Sequence, residues 1–395
     1  MTTSFLTEPH DGAENRVKLN NPKILTWARE ELGLKVEFVA DHFKKPVSVI
    51  EAWENGNDSP TFRQLSDIAN YYKRPIAVFF LPTLPPKFSK PVDHRTLPGN
   101  LSGHFSRETL LAYRQVADML YQAQGLFSDT DTPIEFSLPH WTMTADPDIK
   151  AIELRSILGI SVQQQVKSFT KYNIALDRWR DVLFDRGVIV RVCEMPLDDA
   201  RAFCLFTNNL AGIGLSNEDR DHGRIFSLFH EVCHLCLNVP GVSGLQNNNR
   251  NRNSGLEHYC DRFSASFLLP ASDPDVYGTL DLFQDSTIDY FDIAQAVAKK
   301  FKVSKYVVLR RAFDLGKITP SKYWETVLDW RRQDAFLYSH RKKGKGGLDY
   351  NINEISHMGK RFVTLVMKAL QSDHLSSLDA KRIMGVDPVI VERNM

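Results

Sequence analysis

The sequence predicts a mainly α protein of the α+β class: a bundle of short helices first, then a core that adds a small β-sheet, then a helical C-terminal region. Three observations carry that expectation. Apolar residues recur at helical spacing from Asn21 onward. Short continuous apolar stretches of strand length cluster between Gly187 and Ser216. Gly33, Gly56, Gly159 and Pro270 stand where helices should stop. With 395 residues the chain is long enough for two or three domains.

Composition narrows the function classes. Forty-nine Lys and Arg oppose 48 Asp and Glu, so at a net charge of +1 no overall field draws the chain to DNA or a membrane. The five cysteines are an odd number scattered through apolar segments, which fits reduced thiols in the cytoplasm better than a disulfide framework. The start, Met1 to Phe5, has neither a basic region nor an apolar run, so no secretion is expected. No stretch approaches the roughly 20 consecutive apolar residues of a membrane helix, and no membrane partner is expected.

Taken in order, residues 1–20 read as a polar tail. Within 21–84, Leu25, Ala28 and Leu32, then Val36, Val39, Ala40 and Phe43, space two amphipathic helices separated at Gly33. Pro46 to Glu54 makes a third, with Ser48 as its N-cap and Gly56 as its stop. Thr61, Leu65, Ile68, Ala69 and Tyr72 mark a fourth, and Pro75 to Pro82 a short fifth. Val36 to Phe43 and Val47 to Asn55 have the lengths and separation of a helix-turn-helix. Lys44, Lys45, Ser48 and Val49 are its candidate contacts to DNA or to a partner. Glu30, Glu31, Glu37, Asp41, Glu51 and Asp58 oppose phosphate binding, so the alternative is a docking or dimerising module giving a homodimer.

Residues 85–106 read as a Pro-rich linker. The next domain, 107–285, opens with a long helix from Arg107 to Phe127. A helix closed by Gly159 and another from Ile174 to Arg186 precede the strands Gly187 to Val192, Ala202 to Phe206 and Gly212 to Ser216. Gly212 to Leu215 is expected to be an edge strand that pairs with an extended substrate. Residues 286–340 supply a helical cap, including Tyr290 to Phe301 and Val303 to Leu315. A basic linker at 341–350 and a C-terminal helical segment at 351–395 follow, the latter including Gly359 to Met384.

The chemistry concentrates at Arg224 to Leu237, where His230, Glu231 and His234 form an H-E-x-x-H pattern. On a helix His230 and His234 lie one turn apart and can aim two imidazole nitrogens at one Zn2+ ion, with Glu231 beside it as catalytic base. The bland reading is a core helix with incidental histidines, which burial without a metal makes costly. Cys233 and Cys236 read as small buried apolar residues. After an Asn-rich loop from Gln246 to Gly255, a helix beginning at Glu257 and ending at Pro270 offers Glu257 as third ligand. Asp261, one turn on, would accept a hydrogen bond from a ligating histidine. His258 is the competing ligand, but it projects roughly 100° around the helix from Glu257. Arg224 and His258 are the candidate oxyanion donors.

These residues resemble the ImmA/IrrE-type metallopeptidases, often fused to a Cro/repressor-like (XRE) helix-turn-helix. The resemblance runs through Arg224-x-Phe226-Ser227-Leu228-x-His230-Glu231-x-x-His234 and Glu257-x-x-Cys260-Asp261-x-Phe263-Ser264-x-x-x-Leu268-Leu269-Pro270, and upstream to Gly187-Val188-Ile189-Val190. In the N-terminal domain it runs through Trp53-Glu54-x-Gly56 and Ser59-Pro60-Thr61-x-x-x-Leu65. It implies a zincin-like core, zinc held by His230, His234 and Glu257, and Glu231 as base. It also implies a protein substrate, a repressor-like regulator that can be co-encoded, with DNA reached through residues 21–84. The competing function is a non-enzymatic DNA-binding regulator with a metal-sensing or structural zinc site. The chain departs from the family pattern at Cys233, where Gly is usual, and at Cys260-Asp261, where Ala-Asn is usual.

Overall fold

A computed structural model describes residues 16–86, 105–128, 134–207, 209–239, 242–243, 254–285, 287–339 and 349–394. Most of the polar tail, the Pro-rich linker, the Asn-rich loop and the basic linker lie outside these residues. The chain divides into two compact units, one of residues 1–90 with 104–111, the other of 91–103 with 112–395.

The first unit is built from α1 (Lys23–Glu31), α2 (Val36–His42), α3 (Val47–Asn55), α4 (Phe62–Tyr71) and a 3-10 turn at Ile76–Phe80. Ile24, Val39, Trp53, Leu65 and Phe79 are buried at its centre. Glu54 is buried too, and is satisfied: Arg29 donates to its two oxygens at 2.7 and 2.9 Å and Thr26 donates at 3.1 Å. A capping box between Thr61 and Gln64 starts α4. Gly56 ends α3 in the left-handed region at φ 75°. Ser48 is not the cap of α3: the N-cap is Pro46, with no side-chain cap. The pyrrolidine ring presets the dihedral that starts the helix, which leaves Ser48 exposed as the second residue of the helix.

The second unit holds the long α5 (Arg107–Ser128) apart from its first residues. It continues through α6 (Pro147–Leu158), α7 (Val162–Ser168) and α8 (Tyr172–Phe184). The sheet follows as β1 (Val188–Cys193), β2 (Ala202–Phe206) and β3 (Ala211–Ser216), then α9 (Asp221–Cys236), the two-residue β4 (Val242–Ser243) and α10 (Ser254–Leu268). Beyond these come α11 (Pro274–Asp281), α12 (Tyr290–Phe301), α13 (Lys305–Asp314), α14 (Pro320–Ser339), α15 (Tyr350–Met358), α16 (Lys360–Gln371), α17 (Ser377–Met384) and α18 (Pro388–Asn394). The expected class holds: mainly α, with a few strands. The α7 and α11 helices are additions that periodicity did not predict, and α14 falls within the helical cap expected at 286–340.

Strand order is β1-β3-β2-β4. β3 runs parallel to β1, with Val188 opposite Ala211, and antiparallel to β2, with Ala202 opposite Leu215. Both hydrogen-bonding sides of Gly212 to Leu215 are therefore taken, and the segment is a central strand rather than the expected edge for substrate. The reason is topological: β2 and β3 form a hairpin, and β3, not β2, then pairs with β1. A Cβ at Gly212 would lie 2.5 Å from Val116 and 2.9 Å from Leu120, so only glycine lets α5 approach the sheet this closely.

The core of this unit centres on Trp179, whose ring meets Phe169, Phe229 and Phe267 edge-on at 5.0–5.3 Å. Phe229 stacks on Phe267 at 3.9 Å, which locks α9 to α10 one residue before His230. Arg155 lies beside them with its charge satisfied by Phe267 O at 2.8 Å and Gln165 Oε1 at 2.7 Å. Burial lowers its pKa to about 10.

Candidate metal centre

Aromatic packing fixes α9 along its length, and its N-terminus is tied down separately. Arg224 donates to Ser216 O at 2.9 Å, Asn217 O at 2.5 Å and Asp221 at 2.9 Å, so it clasps the end of β3 to the start of α9. Ile225, Leu228, Phe229, Val232 and Leu235 are all buried, leaving the helix no freedom to rotate. His230, Glu231 and His234 are thereby delivered to the interior at 7%, 0% and 0% exposure.

Two imidazole nitrogens and the two oxygens of one carboxylate converge. His230 Nε2 lies 3.1 Å from Glu257 Oε2, His234 Nε2 lies 3.4 Å from Glu257 Oε1, and the two Nε2 atoms are 3.2 Å apart. Ligands at about 2.0–2.1 Å from a tetrahedral zinc stand about 3.3 Å from one another, so this triangle has the size such an ion requires. The Nδ1 of His230 is 3.0 Å from Asp261 Oδ1, which leaves its Nε2 lone pair for the centre. A further group at the centre is the thiol of Cys260: ligand atoms of His230, His234 and Cys260 all lie within 4.8 Å of one another. The sequence carries a signal for it, since Cys260 follows Glu257 by three and shares its helix face.

The electrostatics of the cluster are those of closely packed acids and histidines. Burial would raise the Glu257 carboxyl, but hydrogen bonds from His230 and His234 outweigh it and hold it far below the usual carboxylate range. Burial would likewise lower His234, yet the neighbouring Cys260, Glu257 and Glu231 raise it to about 10. His230 is raised well above its ordinary value because Asp261 and Glu257 prevail over burial. Burial pushes the Cys233, Cys236 and Cys260 thiols up. Glu231 stands apart: both of its carboxylate oxygens are buried with no hydrogen-bond partner among the described residues. A buried bare carboxylate is costly unless a cation or a reacting proton is its counterpart. The donor set, its spacing and this orphaned acid fit a divalent cation.

His230, Glu231, Glu257 and Asp261 open onto a cleft of about 1200 Å³ lined by α9, α12, α13 and α14. Arg224 and His258 do not line it. Arg224 is committed to the carbonyls of the β3 end, and His258 is exposed, with Nδ1 accepting from Arg310 at 3.3 Å. Arg310 also contacts Asp261 Oδ2 at 3.4 Å and Asp314 at 2.9 Å, extending the chain from His230 through Asp261 into α13. In the first unit Lys44 and Ser48 are exposed and Lys45 lies over the Trp53 ring at 5.5 Å, with Val49 half-buried on α3.

Residues 185–313 match the family model described as Peptidase_M78, IrrE N-terminal-like domain, and residues 25–79 match a helix-turn-helix model, HTH_3. The chain thus carries an IrrE-like domain of a zinc-metallopeptidase family behind an XRE-type helix-turn-helix domain. Among curated proteins none matches. A solved structure of a Mycobacterium tuberculosis transcriptional regulator is similar at 14% identity and a TM-score of 0.27, covering 51% of this chain and 51% of that one. So slight an overlap, over about half of each chain, transfers neither fold nor function. Among the described residues no helix is long and apolar enough to cross a membrane.

Proposed function

We propose that the chain is a zinc-dependent endopeptidase acting in the cytoplasm on a protein substrate, a repressor-like regulator encoded nearby, with residues 21–84 docking it on DNA or protein. The observation that carries this reading is the triangle of His230, His234 and Glu257 with the orphaned Glu231 beside it at the cleft. His230 and His234 from α9 and Glu257 from α10 would hold the metal. Bound zinc supplies Lewis acidity, lowering the pKa of water from about 15.7 to about 7 and polarising a carbonyl. Glu231 accepts the proton of the attacking water and returns it to the leaving amine nitrogen, which lets the C–N bond break. Asp261 holds the Nδ1 proton of His230 and so fixes its tautomer.

The test is zinc-loaded full chain incubated with the neighbouring gene product, read by mass spectrometry for a defined cut. Glu231→Gln should keep zinc and lose the cut, and chelation should abolish it. A cut that survives in Glu231→Gln would eliminate the mechanism. Cys260 favours a second reading: joined to His230, His234 and Glu257, its thiol would close a four-ligand site, as in a structural or metal-sensing centre of a regulator. That reading expects DNA affinity that changes with chelator and no proteolysis.

A further inference from the structure

Part of the cleft wall comes from α14, which lies outside residues 185–313 of the family match. Along α14, Trp324, Leu328 and Arg331 follow one another at helical spacing on one face, and all three line the cleft. Trp324 is 48% and Leu328 51% exposed, an uncovered apolar pair beside the metal centre. The charges of the cleft are unevenly satisfied. Of its carboxylates away from the centre, Asp334 is held by Lys305 at 2.9 Å and Tyr306 at 2.7 Å, and Asp219 by Arg201 at 3.0 Å. Glu218 accepts from the Leu197 amide at 3.1 Å and is the one of these three carboxylates with no ion pair among the described residues. Arg220, Lys299 and Arg331, by contrast, line the same cleft and form no ion pair among the described residues.

We propose that this wall selects the substrate: the cleft takes an extended peptide segment in which acidic side chains flank an apolar one. Trp324 and Leu328 receive the apolar side chain, while Arg220, Lys299 and Arg331 supply the charges its neighbours lack. Unpaired cations above low-dielectric walls concentrate anionic ligands and raise their on-rates. A nucleic acid would meet the same cations but leaves the apolar pair without a role. The inference rests on the peptidase reading for the cutting step only; the recognition it describes can be measured without it.

The probe is a synthetic peptide library with a central Leu or Phe flanked by Asp/Glu, by Ser/Gly or by Lys/Arg. Zinc-loaded wild type is assayed for cleavage and zinc-loaded Glu231→Gln for capture. Acidic flanks should be preferred about tenfold over basic ones at low salt, and the preference should shrink as the Debye length falls from about 10 Å at 0.1 M to about 3 Å at 1 M salt. The triple variant Arg220→Glu/Lys299→Glu/Arg331→Glu should invert it; zinc content and melting temperature check that the variant is folded. Cleavage without charge preference, or a preference the triple variant leaves intact, overturns the inference and spares the peptidase reading. Charge-selective capture with no cleavage by wild type supports the inference and counts against that reading. No capture of any peptide, or displacement of bound peptide by a single-stranded oligonucleotide as readily as by acidic peptide, overturns it.

Discussion

Replacing Glu257 and Cys260 one at a time decides which side chain completes the metal centre. The separations of 3.1, 3.2 and 3.4 Å among His230, His234 and Glu257 bracket the edge of a zinc tetrahedron, and with Glu257 as third ligand the neighbouring Cys260 thiol stays uncoordinated. Structural zinc with four ligands is worth about 10–16 kcal/mol, or about 3 kcal/mol per ligand. Glu257→Ala should therefore weaken zinc binding by about a hundredfold, while Cys260→Ala should stay within about threefold of wild type. Competition against a chromophoric chelator at neutral pH measures both. Glu257→Ala also strips both histidines of their shared acceptor, so the metal-free variant should melt earlier, and affinities are read well below that transition. The reasoning is refuted if Cys260→Ala releases the metal and Glu257→Ala retains it.

Other consequences can be measured separately. Asp261→Asn should lower zinc affinity by about 10–100-fold, read in the same competition, because the His230 ring loses the acceptor that orients it. Arg311 is 2% exposed and donates to Asp148 at 2.7 Å, so Asp148→Asn should cost about 3 kcal/mol in urea unfolding by leaving a buried cation without its partner. Burial would raise the Asp148 carboxyl, but Arg311 and Arg262 hold it below its ordinary value. Its contribution is thus complete at neutral pH and is lost as pH falls through that lowered value, so the Asn variant should lose less stability on acidification than wild type. Gly187→Ala should cost about 2 kcal/mol or more by thermal melting. Its φ is +73° and a Cβ would lie 2.4 Å from the Glu135 and Phe136 backbone.

The centre was legible because its chemistry is local. His230 and His234 share a face by spacing alone, and Glu257 and Asp261 repeat that device on the following helix. What escaped the sequence depends on distant partners. The β1 and β3 strands are buried at every position, and continuous burial reads the same at the centre of a sheet as at a covered edge. Within the helical cap expected at 286–340, α14 itself was not singled out, because it interleaves Trp324, Val327, Leu328 and Trp330 with charged residues on most of its faces and no single apolar stripe announces it. Arg224 drew attention by adjacency to the motif, but its guanidinium serves the β3 carbonyls. Cys260 stood out as a departure from a family pattern and by its spacing from Glu257; its nearness to the histidines comes from the way Phe229 and Phe267 press α9 against α10.

The solitary Glu231 carboxylate bears on speed as well as on assignment. In the proposed reaction a solvated base would first have to shed its hydration; this one is already buried, on a helix packed along its length. The same isolation strains the resting fold, so an uncharged isostere there should make a sturdier protein that does no work.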